Sequence, residues 1–214
     1  GCYLYDDSGT EYLDFIAAYG ALPFGYNHES IWNAVLEFYH SKEPSFIQPS
    51  YLEAAGELAE RLIRVAPAGL KYVTFTNSGA ETVEAAIKLC RSSTGRTGIL
   101  AAKNSFHGKT LGALSATGKS SYQAAFGAPV NGFHFIEYGS LDSLQRELES
   151  NPFYYAAFIV EPIQGEGGIV EPPAGYLRSA KEICSRYGVL LVADEIQTGL
   201  GRTGSLFACE QDGV

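Results

Sequence analysis

Four short stretches of this sequence combine residues that do chemistry with spacings that could present them together. Asn77-Ser78-Gly79-Ala80-Glu81 opens an apolar-periodic segment with Ser-x-x-Glu, a capping box whose hydroxyl and carboxylate satisfy the first free amides of a helix. The small residues at 79 and 80 leave their own amides open, and a helix N-terminus favours an anion there. Asn104-Ser105-Phe106-His107-Gly108-Lys109-Thr110 joins an aromatic, an imidazole and a glycine, a set suited to stacking on a flat ring. Glu161-Pro162-Ile163-Gln164-Gly165-Glu166-Gly167-Gly168 holds two carboxylates in a tight loop, readable as a gate, a base or a solvated turn. Asp194-Glu195-Ile196-Gln197-Thr198-Gly199 ends a wholly apolar run in an acid. An acid there is costly unless a cation pairs with it, and a protonated ring nitrogen is one such cation. Taken singly, the first two segments also read as an ordinary capped helix and a packed loop.

The elements that must position these groups are legible in the apolar pattern. Short apolar runs at Tyr72–Thr76, Gly98–Ala101, Phe133–Ile136, Ala156–Val160 and Val189–Ala193 alternate with helical patterns at Ala80–Arg91, Leu141–Glu149 and Tyr176–Tyr187. Repeated β-then-α units with apolar strands predict an α/β fold, a mostly parallel sheet flanked by helices. Such sheets bind ligands beyond the carboxyl ends of their strands, where the four segments fall. Upstream, residues 2–15 alternate about Asp7-Ser8-Gly9 and predict a hairpin, followed by helices at Ile31–Tyr39 and Leu52–Val65. We divide the chain into residues 1–50, hairpin and connecting segment, and residues 51–214, part of a large ligand-binding domain.

Composition narrows the partners. The 214 residues are 46% apolar and 18% charged, enough to bury a core, with a net charge of −9 and no basic block. That excludes disorder and argues against a nucleic acid or an anionic membrane as partner. No apolar run approaches the roughly 18 residues of a membrane span. Cys2, Cys90, Cys184 and Cys209 form no paired motif, and His28, His40, His107 and His134 show no ligand spacing, so no metal is expected. With no leader segment evident, a cytoplasmic, reducing compartment is the expectation. The chain contains no methionine.

Two nucleotide-binding readings fail on geometry. Gly108-Lys109-Thr110 and Gly118-Lys119-Ser120 match the end of a P-loop, but the glycine that must stand five residues earlier is replaced by Lys103 and Ala113. No G-x-G-x-x-G opens a helix after the first strand, which excludes a dinucleotide fold.

The four segments in this order resemble class III aminotransferases, pyridoxal 5′-phosphate enzymes of fold type I that act mostly on terminal amino groups. The resemblance runs from Gly1 to Val214, includes the Gly201-Arg202-Thr203-Gly204 turn, and covers about half of a typical family subunit. It implies that Ser78, Gly79 and Ala80 hold the cofactor phosphate, that Phe106 and Ile196 press on opposite ring faces, and that His107 belongs to the same cradle. Asp194 would pair with the pyridinium nitrogen, Gln197 would sit near the ring hydroxyl, and Glu161 would serve as a substrate-side gate. The family's Schiff-base lysine lies on a strand beyond the Asp-Glu segment, and Lys42, Lys71, Lys88, Lys103, Lys109, Lys119 and Lys181 match no such position. The chain is therefore expected to be a fragment, inactive alone, of an enzyme that is a homodimer at full length.

Substrate clues are Tyr19, similar to an ornithine-aminotransferase tyrosine, and Lys109, where ornithine and acetylornithine members usually carry a carboxylate-clamping arginine. The stretch Phe106–Thr117 is closer to putrescine aminotransferases. The expected reaction moves the terminal amino group of a diamine or ω-amino acid to a 2-oxo acid. The alternatives are a non-catalytic PLP-binding homologue and a same-fold aminomutase, racemase or decarboxylase.

Overall fold

The computed structural model describes residues 1–47 and 50–214. They form two compact units, Gly1–Val73 and Thr74–Val214. The division falls after Val73, where the boundary expected from the sequence pattern stood after residue 50.

In the first unit the expected hairpin is present. Strands β1 (Tyr3–Tyr5) and β2 (Glu11–Leu13) pair antiparallel, with Leu4 opposite Tyr12. Gly9 takes φ +82° in the turn, where an L side chain would be strained. The Asp6 carboxylate ties this turn together, accepting the amides of Ser8 and Thr10, each at 2.9 Å. Helices α1 (Glu29–Ser41) and α2 (Glu53–Val65) follow, and neither contains a fully buried residue.

The second unit carries the sheet. Its elements are α3 (Gly79–Thr94), β3 (Gly98–Ala102), α4 (Leu111–Ala116), α5 (Ser120–Gln123), β4 (Phe133–Ile136), α6 (Leu141–Ser150), β5 (Tyr155–Val160), α7 (Tyr176–Arg186) and β6 (Leu190–Ala193). The strands lie in the order β4-β3-β5-β6, every pair parallel. Strands β3 and β5 are buried along their whole length, as continuous apolar runs require in a sheet covered on both faces. Alternate residues feed two cores. Ile99, Ala157 and Ile159 pack with Val83 and Ile87 of α3 and Ala113 of α4. Leu100, Phe158 and Val160 pack with Leu144 and Leu148 of α6 and Ala180 and Ile183 of α7. Each fully buried leucine or phenylalanine here stabilises the fold by about 1.5–3 kcal/mol through lost contact with water.

One expected strand is absent. Tyr72–Thr76 forms no ladder among the described residues, and Tyr72 is 94% exposed. An apolar run becomes a strand only where a neighbour takes its amides and carbonyls, and β6 pairs with β5 alone. Helix α4, by contrast, went unread because Leu111–Ala116 is short and flanked by Gly and Thr.

Opposite the candidate site, Arg96 fastens the start of the sheet. Its Nη1 donates to the carbonyls of Tyr155, Tyr187 and Gly188 at 3.1, 2.8 and 3.1 Å. No helix among the described residues is long and apolar enough to cross a membrane.

Candidate active site

At the carboxyl ends of β3, β5 and β6 the loops converge with the N-terminus of α3 around a cavity of about 330 Å³. Gly79, Ala80, Phe106, His107, Lys109, Glu161, Asp194, Ile196 and Gln197 all line it, together with Gly108 and Glu166. Residues separated by more than a hundred positions in sequence thus meet at the sheet edge where parallel α/β folds bind ligands.

The α3 terminus is built as the capping box requires, with one change. Ser78 adopts extended backbone and its hydroxyl accepts the Glu81 amide at 3.2 Å. The Glu81 carboxylate reaches the amide of Asn77, at 2.7 Å, one residue before the cap itself. The amides of Gly79 and Ala80 donate to no acceptor among the described residues, so the positive end of a 16-residue helix faces the cavity with free donors. Ser78 lies outside the cavity lining, and its hydroxyl is engaged as a cap. A side chain at Gly79 would fill the cradle, because its Cβ would stand 2.8 Å from Ile196 Cδ1.

Two of the three carboxylates that line the cavity, Asp194 and Glu161, are held rather than free. Asp194 Oδ2 lies 2.6 Å from His107 Nδ1, and Oδ1 accepts the Ile196 amide at 3.1 Å. Both side chains of this pair are essentially withdrawn from solvent, at 0% and 5% exposure. His107 Nε2 is buried without a hydrogen-bond partner among the described residues. His107 is itself anchored, its amide donating to Thr117 Oγ1 at 3.0 Å. Glu161 accepts the Phe106 amide on Oε2 and the Gly165 amide on Oε1, each at 3.2 Å. Burial pushes its carboxyl above the ordinary range, and nearby His107 and the two amides offset only part of that. A carboxylate so tied on both oxygens is fixed in place. Glu166, on the same cavity, is exposed and accepts the Tyr122 hydroxyl at 3.5 Å.

Aromatic and aliphatic walls complete the enclosure. Phe106 is half-buried and packs edge-on against Tyr122 at 6.2 Å between centroids. Gln164 pins the 161–168 loop to the Phe106 loop through Nε2 and the Lys103 carbonyl at 2.9 Å. Glu195, next to Asp194, turns away from the cavity and accepts the Cys209 amide at 2.7 Å and the Thr198 hydroxyl. Tyr19 belongs to the first unit, exposed and at φ +58°. The His107–Asp194 pair and the Phe106 tie on Glu161 were not read from the sequence, since partners 87 and 55 residues apart leave no local signal.

The arrangement offers free amides for an anion, flat and branched walls for a ring, and an anchored carboxylate for a cation. Comparison with known proteins identifies the family. The Aminotransferase class-III family profile matches residues 1–214. The chain is 44% identical over its full length to "Aminotransferase PigE" of a Serratia species, covering 25% of that protein. It is 41% identical over 99% of its length to a putrescine aminotransferase of Pectobacterium atrosepticum, covering 46% of it. It is also 41% identical over its full length to an acetylornithine aminotransferase of Methanopyrus kandleri, covering 54%. Among solved structures, the ornithine aminotransferase of Toxoplasma gondii, described with partial PLP occupancy at its active site, superposes with TM-score 0.90 at 33% identity. That match covers all of this chain and 51% of the other. A transaminase from a marine Virgibacillus superposes at 0.93 with 31% identity, covering all of this chain and 52% of the other. The chain spans about half or less of the length of these relatives. Sequence and fold agree that the chain belongs to the class III aminotransferases, a family of pyridoxal 5′-phosphate enzymes of fold type I.

Proposed function

We propose that this chain supplies the cofactor cradle of a PLP-dependent ω-aminotransferase that moves the terminal amino group of a diamine or ω-amino acid to a 2-oxo acid. The carrying observation is the meeting, in one cavity, of the free α3 amides with the buried, histidine-held Asp194. PLP supplies an electrophilic carbonyl and an electron sink when bound. Gly79 and Ala80 would bind its phosphate through their amides, with the α3 dipole adding to the attraction. Ser78 would contribute by fixing the helix start, given that its hydroxyl is committed to the cap. Phe106 and Ile196 would orient the ring between them. Asp194, with lone pairs remaining on each oxygen, would hold a proton on the ring nitrogen. His107 would keep that carboxylate aimed. Gln197 would face the ring hydroxyl.

Apart from Asp194, which is assigned to the ring, the lining carries two carboxylates, Glu161 and Glu166, against one lysine, Lys109. This acidic balance supports a donor whose far end is an ammonium group. Glu161, tied on both oxygens, suits a fixed wall, so Glu166 is the better candidate for the mobile, substrate-facing acid. Tyr19 is kept as a substrate-side residue on its likeness to the ornithine-aminotransferase tyrosine alone. We place the covalently bonding lysine outside the seven of this chain, which makes the chain alone inactive, and the working enzyme a cytoplasmic homodimer.

The test uses the complete protein loaded with PLP. Amino transfer from putrescine, cadaverine, ornithine or 4-aminobutyrate to 2-oxoglutarate is followed by product formation, and borohydride reduction followed by peptide mapping locates the modified lysine. Transfer from a diamine with no modification of Lys109 is expected. Turnover that needs no acceptor would instead indicate a mutase, racemase or decarboxylase. PLP binding without any reducible adduct would indicate a non-catalytic homologue.

A further inference from the structure

One side chain bonds the anion end of the cavity to the loop that forms its ring wall, without lining the cavity itself. Glu84 sits half-buried in the second turn of α3, and its Oε1 accepts the Thr110 hydroxyl at 2.7 Å, the Gly112 amide at 2.8 Å and the Ala113 amide at 3.3 Å. Thr110 is the N-cap of α4 but makes no capping bond with its own side chain. The first amides of a helix need an acceptor, ordinarily the N-cap residue. Here Glu84 provides it from a different helix.

Two glycines record how closely these pieces fit. A Cβ on Gly112 would stand 2.3 Å from Glu84 Oε2. A Cβ on Gly108, whose φ is +130°, would stand 2.8 Å from Ala80 Cβ and 3.0 Å from Ala113 Cβ. Gly108 is thus wedged between the first turn of α3 and α4, with Phe106 and His107 immediately before it.

We propose that Glu84 is a positioning residue for the cofactor. By capping α4 from α3, it holds residues 106–109 at a fixed separation from the amides of Gly79 and Ala80. The proposal rests on the PLP reading of the cavity. A residue acting in this way controls the affinity for a ligand gripped at both ends, phosphate and ring, far more than for one gripped at a single end. It touches neither cofactor nor substrate.

The experiment measures binding to the complete apoprotein with two probes, PLP by absorbance titration and inorganic phosphate by competition. Glu84→Ala is expected to weaken PLP about tenfold, the size of a lost cap expressed as affinity, and to change phosphate binding less than about threefold. Glu84→Gln keeps an acceptor at Oε1 and should restore PLP affinity to within about threefold of wild type. If Glu84→Ala does not fold, Gly112→Ala displaces the carboxylate without removing it and should weaken PLP in the same way. PLP affinity unchanged in the folded variant, with only the melting temperature lowered, would overturn the proposal and leave Glu84 a purely structural cap. Equal losses for PLP and phosphate would overturn it too. Wild-type protein that binds no PLP would refute the cofactor reading, and this proposal with it.

Discussion

Replacing Asp194 by Asn removes the cavity's histidine-held charge while leaving its shape almost intact. The carboxylate stands 2.6 Å from His107 Nδ1 and is 5% exposed, so water screens it little. A charge-assisted hydrogen bond is worth about 1.5–3 kcal/mol. The Coulomb attraction between unit charges 4 Å apart is about 4 kcal/mol at an effective dielectric near 20. Loss of the pairing with a protonated ring nitrogen should therefore raise the barrier by about 3–4 kcal/mol, on the order of a 10²–10³-fold fall in kcat/KM. Glu195 provides the internal control. It is the next residue and also an acid, but its oxygens take the Cys209 amide and the Thr198 hydroxyl instead of facing the cavity. Glu195→Gln keeps one acceptor and should lower stability by about 1 kcal/mol with less than a tenfold effect on turnover. The assay is steady-state transamination by the PLP-loaded complete protein, with far-UV circular dichroism to confirm folding and a pH titration of the bound cofactor's absorbance. Comparable losses for the two variants, or an Asp194→Asn enzyme whose cofactor spectrum titrates like wild type, would refute the assignment of Asp194 to the ring nitrogen.

Three further outcomes follow from the geometry. Glu161 has its carboxyl raised in the folded state by burial, so the native protein binds more protons than the unfolded chain just above the ordinary carboxyl range; stability contributed there falls as pH rises through the raised value, and Glu161→Gln should flatten that slope in melting temperature against pH. Cys184 and Cys209 are buried thiols, both pushed up to about 12 chiefly by that burial, and Cys90 is buried as well; thiol reagents should therefore modify exposed Cys2 rapidly in native protein and the other three only on unfolding, with rapid native labelling of Cys184 counting against the packing of α7. Arg96→Ala removes donors to three carbonyls at the start of the sheet and should lower unfolding free energy in urea by about 2–4 kcal/mol, while leaving PLP affinity within about twofold because the change is at the opposite end of the strands.

Much of this protein is written in short-range pattern. The continuous apolar runs at 98–101 and 156–160 are strands because both faces of a parallel sheet are dry at its centre, and that requirement shows directly as unbroken hydrophobicity. The capping box at Ser78 and the turn at Gly9 are equally local, since each involves residues a few positions apart. The order of the four strand-end segments was enough to indicate the family and the cavity. What pattern could not decide was partnership across the fold. Tyr72–Thr76 looks like a strand, yet among the described residues no neighbour is present to pair with it. Asp194 read as a carboxylate awaiting a cation, and tertiary structure added a histidine from a loop 87 residues away. Glu161 read as a gate, and the amides of Phe106 and Gly165 hold both its oxygens. Glu84 stands mid-helix with no motif around it, and in the fold it caps another helix. Local sequence determined the elements and the chemistry available at their ends, because backbone propensity and burial act over a few residues. Only the folded chain decided which of those groups are tied down and which remain free, because a hydrogen bond between distant residues depends on a register that no local spacing encodes.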